Sequence, residues 1–201
     1  LILKNYSFSG SAYGVASNND LNIVLEGASI SLEAKGDYHA IYVDGNLTIS
    51  KTTGFSGKMT AKSANSNAID IYGNLTIDGV DVTVTTSNDY CVGVSGNLTL
   101  NSGSLAMTCT YTGTSYVYNA LVVNKDLIVN GGSANKGGAV VVKGNATFKS
   151  GTHTITSATG NAIELPNGYM SVQGGNLTVS GGENGIKLTT GRLNMNGGFL
   201  S

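Results

Sequence analysis

Apolar and polar residues alternate over short stretches, and those stretches recur along the whole chain. The unit Gly-Asn-Leu-Thr-Ile, or a close variant, begins at Gly45, Gly73, Gly96 and Gly144, with looser copies at Gly168 and Gly191. Asn19-Asp20-Leu21 and Lys125-Asp126-Leu127 fill the remaining places, so successive starts lie 26, 28, 23, 29, 19, 24 and 23 residues apart. Within each unit two apolar positions flank one outward residue: Leu21/Ile23, Leu47/Ile49, Leu75/Ile77, Leu98/Leu100, Leu127/Val129, Ala146/Phe148, Met170/Val172 and Leu193/Met195. A period of two predicts a strand, because a helical period of about 3.6 would carry these residues off a common face.

Two further strands are predicted in each repeat. One carries pairs such as Ile30/Leu32, Met59/Ala61, Val82/Val84 and Leu105/Met107. The other carries Ile41/Val43, Ile69/Ile71, Val92/Val94, Leu121/Val123 and Ile163/Leu165. No single repeat can bury its own apolar face, whereas stacked repeats share one core. The predicted fold is all-β: a right-handed parallel β-helix of about eight three-stranded coils, forming a single domain over 1–201. At about 4.8 Å per coil such a rod is on the order of 40 Å long.

The corners follow the same period. A column of small residues (Gly14, Ala40, Ala68, Cys91, Ala120, Ala139, Ala162, Gly185) precedes the third strand, where a tight inside corner has little room. Asparagines form two partial columns, Asn46/Asn74/Asn97/Asn145 and Asn67/Asn119/Asn161/Asn184. Stacked asparagines can hydrogen-bond along the axis and tolerate left-handed backbone, and the glycines before the first column are expected to supply positive φ. Asn-Leu-Thr also matches the N-glycosylation acceptor at Asn46, Asn74, Asn97 and Asn176, but the triplet is the strand repeat itself.

Composition narrows the function classes. Of 201 residues only 11% are charged and 40% are hydrophobic, which favours a large buried core over disorder. The net charge is −1, so there is no basic stripe for nucleic acid or for an anionic membrane surface. No apolar run reaches the roughly 20 residues that would insert in a bilayer. The chain opens at Leu1 within a strand pattern and shows neither signal peptide nor cap, so it is expected to be part of a longer secreted protein. Bare coil ends would also invite end-to-end or edge association.

Four groups of residues could carry chemistry. Tyr38, Tyr42, Tyr90, Tyr111, Tyr116 and Tyr118 cluster around the corner leading into the third strand, with Tyr72 just after it. The last three of the six lie in the largest insertion, 110–119, and insertions in solenoids often decorate a binding face. Aromatic rings with polar tips suit stacking on sugar rings, although tyrosines can equally well cover a wide corner. Asp37, Asp44, Asp70 and Asp89 could supply oxygens to calcium, or be solvated surface charge. Cys91 and Cys109 fall near one corner, close enough for a disulfide or for two buried thiols. His153 occupies an inward position and reads as a core residue. His39 reads as exposed, with no partners for a catalytic triad.

The segments Ala40–Ile49 (AIYVDGNLTI) and Ala68–Ile77 (AIDIYGNLTI) resemble secreted bacterial carbohydrate-binding β-helix domains, which have a pectate-lyase-like fold without the lyase site. The resemblance implies a non-catalytic, extracellular or cell-surface module that binds polysaccharide or surface glycan; some members use calcium, and no other cofactor is implied. Two alternatives remain open. One is a structural or adhesive stalk that binds proteins. The other is a polysaccharide lyase or glycoside hydrolase, which needs paired carboxylates or a placed base. No two acids share an outward column on neighbouring coils, and the only arginine, Arg192, has no acid beside it.

Overall fold

The computed structural model describes residues 1–109, 119–137 and 139–201, with 134–137 described by their backbone alone. Among these residues every regular element is a strand, and all pairings between strands are parallel. Three sheets run the length of a β-solenoid: two of nine strands and one of eight. Consecutive members of each sheet are three elements apart in the chain, so each turn of chain contributes one strand to every sheet. This makes eight complete coils. Coil 2, for example, comprises Leu21–Glu26, Ile30–Ala34 and Ile41–Val43. Coil 3 comprises Leu47–Lys51, Lys58–Ser63 and Ile69–Ile71, and coil 4 Leu75–Ile77, Val80–Thr86 and Val92–Val94.

The predicted inward pairs stand in register. Leu47, Leu75, Leu98 and Leu127 are successive partners, as are Ile41, Ile69 and Val92. These side chains are buried in one continuous core that also holds Phe148, Met170 and Val172. Each fully buried Leu or Ile contributes about 1.5–3 kcal/mol relative to exposure, and the shared core is what makes the coils interdependent. His153 follows Ala134 and precedes Leu177 in register; it is buried, with Nε2 2.8 Å from the Ser150 carbonyl and its ring 5.3 Å from Phe148.

The Asn46 column forms a side-chain ladder. Oδ1 of Asp20 accepts the Asn46 backbone N–H (2.7 Å), Asn46 accepts from Asn74 (2.9 Å) and Asn74 from Asn97 (2.8 Å). The series continues through Asp126 and Asn145 to the N–H of Tyr169. The Asn67 column is less regular. Asn184 donates to Asn161 (2.8 Å), whereas Asn67 turns within its own coil to Asp70 (3.0 Å).

The conformational role expected for the repeat glycines is not the one observed. Gly45, Gly73, Gly96 and Gly144 do not have positive φ, and Asn5 is the only non-glycine residue with positive φ among those described. These glycines are needed for close approach: a Cβ on Gly73 would stand 2.5 Å from the carbonyl oxygen of Gly45 and 2.7 Å from the backbone nitrogen of Asn46. Positive φ belongs to a different column, at the corner before the second strand, typified by Gly103 at +87°. There a side chain would be strained by the backbone conformation itself.

The ladder has a pH signature. The backbone and side-chain hydrogen bonds from Asn46 hold the Asp20 carboxyl below its ordinary range. A lowered folded-state pKa means stability present above the unfolded value and lost as pH falls through the folded one. Thermal melts are therefore expected to move down as pH drops below about 4, the range of an unperturbed Asp. Asp20→Asn, which keeps the acceptor oxygen, should flatten that dependence. Parallel melting curves for variant and parent would count against the ladder as its source.

Candidate functional site

The outer face of the third sheet concentrates aromatic rings at its N-terminal end. Tyr13 precedes the strand of coil 1, His39 precedes that of coil 2, and Tyr42 lies on the coil 2 strand pointing outward opposite Asp70 of coil 3. Tyr13, His39 and Tyr42 are mutual neighbours, with centroids 5.5 to 5.9 Å apart and interplanar angles of 15° to 36°. Rings so nearly parallel at that separation are offset rather than stacked face on face, and they form a shingled floor. Tyr38 meets Tyr13 edge-on at 5.3 Å and 87°, and Tyr72 meets Tyr42 at 5.9 Å and 62°, so two rings rise from the floor at its margins. The surface is open: Tyr13 is 41% exposed, Tyr38 39% and Tyr72 56%.

Carboxylates and amides edge this floor. The Tyr42 hydroxyl donates to Asp44 at 3.5 Å. Partial burial, then the Asp44 charge, pushes the Tyr42 phenol above its ordinary value, so it stays a neutral donor at neutral pH. Asp70 accepts from Asn67 and faces His39 Nε2 at 3.8 Å.

His39 is half-buried rather than exposed, and it does gather the residue types of a triad. Ser66 Oγ lies 3.2 Å from Nδ1, and Asp70 lies on the other ring nitrogen. The tautomer decides against nucleophile activation. Nδ1 is also 2.8 Å from the Asn67 backbone carbonyl, which can only accept, so Nδ1 carries the proton. A protonated Nδ1 cannot take the Ser66 hydroxyl proton. His39 is therefore held as a flat, oriented ring, part of the floor.

The structure brings Tyr38 and Tyr42 into one surface, and adds Tyr13, Tyr72 and His39 to it. Tyr90 takes the place of His39 and Asn67 on coil 4, further along the axis. Tyr111, Tyr116 and Tyr118 lie outside the described residues. The four aspartates do not converge. Asp37 and Asp89 sit at corners before the third strand, Asp44 follows the coil 2 strand and Asp70 lies on that of coil 3. Among the described residues no three His, Cys, Asp or Glu side chains are close enough together to hold a metal ion. Arg192 lines a hollow of about 380 Å³ with Tyr169 and Thr190 near the last coils, and no carboxylate lines it.

Cys91 and Cys109 do meet. Their sulfurs lie 3.2 Å apart as free thiols, with Cys91 buried in the small-residue corner and Cys109 at the end of Gly103–Cys109. Hydrogen bonding to Cys109 and burial push Cys91 up, and the same bond lowers Cys109. Incubation with glutathione disulfide is expected to take the thiol count from two per chain to none, each pair giving up two protons and two electrons to the oxidant. Two thiols still titratable in denaturant after that treatment would show that the pair does not close.

No protein-family model, no curated protein and no solved structure matches this chain. Among the described residues no helix is long and apolar enough to cross a membrane.

Proposed function

We propose that this chain is a non-catalytic, extracellular carbohydrate-binding module that engages glycan through the outer face of its third sheet. The observation that carries this reading is the five-ring cluster of Tyr13, Tyr38, His39, Tyr42 and Tyr72, three of its rings exposed and its edge marked by Asp44 and Asp70. Ring faces offer apolar area to the C–H face of a sugar, and the polar groups around them accept and donate to its hydroxyls. Tyr42 lies on a strand and the other four rings flank strands of fixed register, which limits the order that has to be created on binding. The likeness of the repeat to secreted bacterial carbohydrate-binding β-helices points the same way.

The reading is tested by retention of the purified protein on insoluble and soluble plant and host glycans, with calcium and with chelator. Specific retention is expected. Loss of retention in chelator would bring Asp44 and Asp70 into a calcium-dependent contact. No retention on any glycan would remove the reading in favour of a structural or adhesive stalk, which the repeat alone could equally build.

A further inference from the structure

Outward positions on the third sheet form a row along the axis, running from Tyr42 through Asp70, Gly93 and Val122 to Val141. Gly93 interrupts this row by having no side chain. Its φ is not in the left-handed region, so the backbone does not demand glycine there. The gap opens a notch of about 260 Å³. Tyr90 and Asn67 line one flank, Ser95, Asn124 and Lys143 the other, and Asp70 closes the end nearest the aromatic floor. A Cβ on Gly93 would stand 2.9 Å from Asp70 Oδ1 and 3.1 Å from Asn67 Nδ2.

As placed, the hydrogen-bonded Asn67–Asp70 pair leaves no room for a side chain at Gly93 unless Asp70 shifts. Coil 7 repeats the arrangement, with Asn161 donating to Glu164 at 2.9 Å, and its neighbour in the row is Lys187. There the longer Glu164 carries its carboxylate outward, 3.8 Å from the Lys187 ammonium, and leaves room for a side chain in the row. The void at Gly93 is thus a local feature of this face rather than a requirement of the repeat.

We infer that the Gly93 notch is a subsite for one neutral glycosyl unit of a chain lying along the third sheet, continuing from the aromatic floor. This rests on the carbohydrate-binding reading above. The volume lies just under the range of ordinary ligand pockets, roughly 300–1,000 Å³, which suits a single ring. Lining groups are hydrogen-bonding along most of the rim, with one carboxylate and one ammonium. Asp70 accepts from sugar hydroxyls and Lys143 donates to them, and because their opposite charges offset each other neither a uronate nor an amino sugar gains net charge complementarity in the notch. The aromatic floor spans coils 1 to 3 and the notch opens from coil 3 onward, so one extended ligand can occupy both. The coil rise of about 4.8 Å is close to the length of one sugar unit in an extended chain.

The test is calorimetric titration with gluco-, manno- and xylo-oligosaccharides from disaccharide to hexasaccharide, with oligogalacturonides as the acidic comparison. Affinity for one neutral series should rise with chain length until the notch is filled. Gly93→Ala should lose about tenfold for the longer members and less for the shortest binding member, which touches Asp70 only at the floor's edge. Lys143→Ala, a change at an exposed side chain, should reduce the same increment, and it decides the question should Gly93→Ala fail to fold. Equal affinities for parent and both variants at every length, with Tyr72→Ala still weakening binding, would overturn the notch while leaving the aromatic reading intact. A stronger length gain for the acidic series would overturn the assignment to a neutral unit. Absence of binding by every oligomer would remove both.

Discussion

Tyr42→Ala combined with Tyr72→Ala is expected to weaken glycan retention by roughly thirtyfold, about 2 kcal/mol, without unfolding the rod. The magnitude assigns each ring about 1 kcal/mol, less than full burial of an aromatic side chain, because one edge of each stays wet in any complex on so open a face. The pair is chosen because the two rings meet each other at 5.9 Å, and Tyr42 joins Tyr13 and His39 in the floor. Neither contributes to the core, so far-UV circular dichroism and the melting temperature should stay close to the parent's. Phenylalanine at both positions separates the two components of the interaction: the stacking area remains, while the hydroxyl bond from Tyr42 to Asp44 is lost. Retention unchanged in the alanine pair would mean that the aromatic surface only covers the corner.

The second large effect concerns the rod itself. Gly73→Ala is expected to destabilise the protein by about 3 kcal/mol, at the upper end of what overpacking costs. The atoms that a new methyl would meet are the backbone of Gly45 and Asn46, which cannot swing aside as a flexible side chain would. They also belong to the ladder in which Asn74 donates to Asn46 and Gly73 to Gly45. In a solenoid each coil is stabilised chiefly by its neighbours, so separating coil 3 from coil 2 at this point weakens the whole stack. Urea unfolding should show a lower midpoint, and an unaltered midpoint would mean that the coils can part here at no cost. Gly36→Ala provides a contrast, since its Cβ would meet nothing within 4 Å and only its φ of +70° opposes the change. Strain of that kind costs of order 1–3 kcal/mol.

Residue order alone specifies the solenoid. Inward pairs such as Leu47/Ile49 and Ile69/Ile71 repeat with a strand period inside a coil period, and stacking is the way for so many short apolar strands to share a core. It also specifies the corner that Cys91 shares with Ala68 and Ala120, and the inward place of His153, since periodicity assigns a residue to a column and a column to a face. The positive-φ corner at Gly103 is marked in the sequence by a glycine shortly ahead of the second strand of coil 2 and of every later coil, a weaker pattern than the Gly-Asn-Leu repeat, whose glycines are there for close approach.

What lies between columns is a matter of tertiary contacts. Tyr72 shares a column with Asp44 rather than with Tyr42, so only the lean of the side chains across neighbouring coils joins it to the aromatic surface. Tyr13 precedes the most regular repeats and enters the site because coil 1 stacks under coil 2. The tautomer of His39 depends on one carbonyl, that of Asn67, which fixes the proton on Nδ1 and so keeps that nitrogen from taking the Ser66 proton. The notch at Gly93 exists because the side chains around it stop short of filling the space, and the 3.2 Å between the two sulfurs arises from the approach of a strand end to a corner on adjacent coils. A repeat specifies which direction a side chain leaves the backbone. How far it reaches, and whom it meets on the next coil, depends on rotamers and local packing that no period encodes.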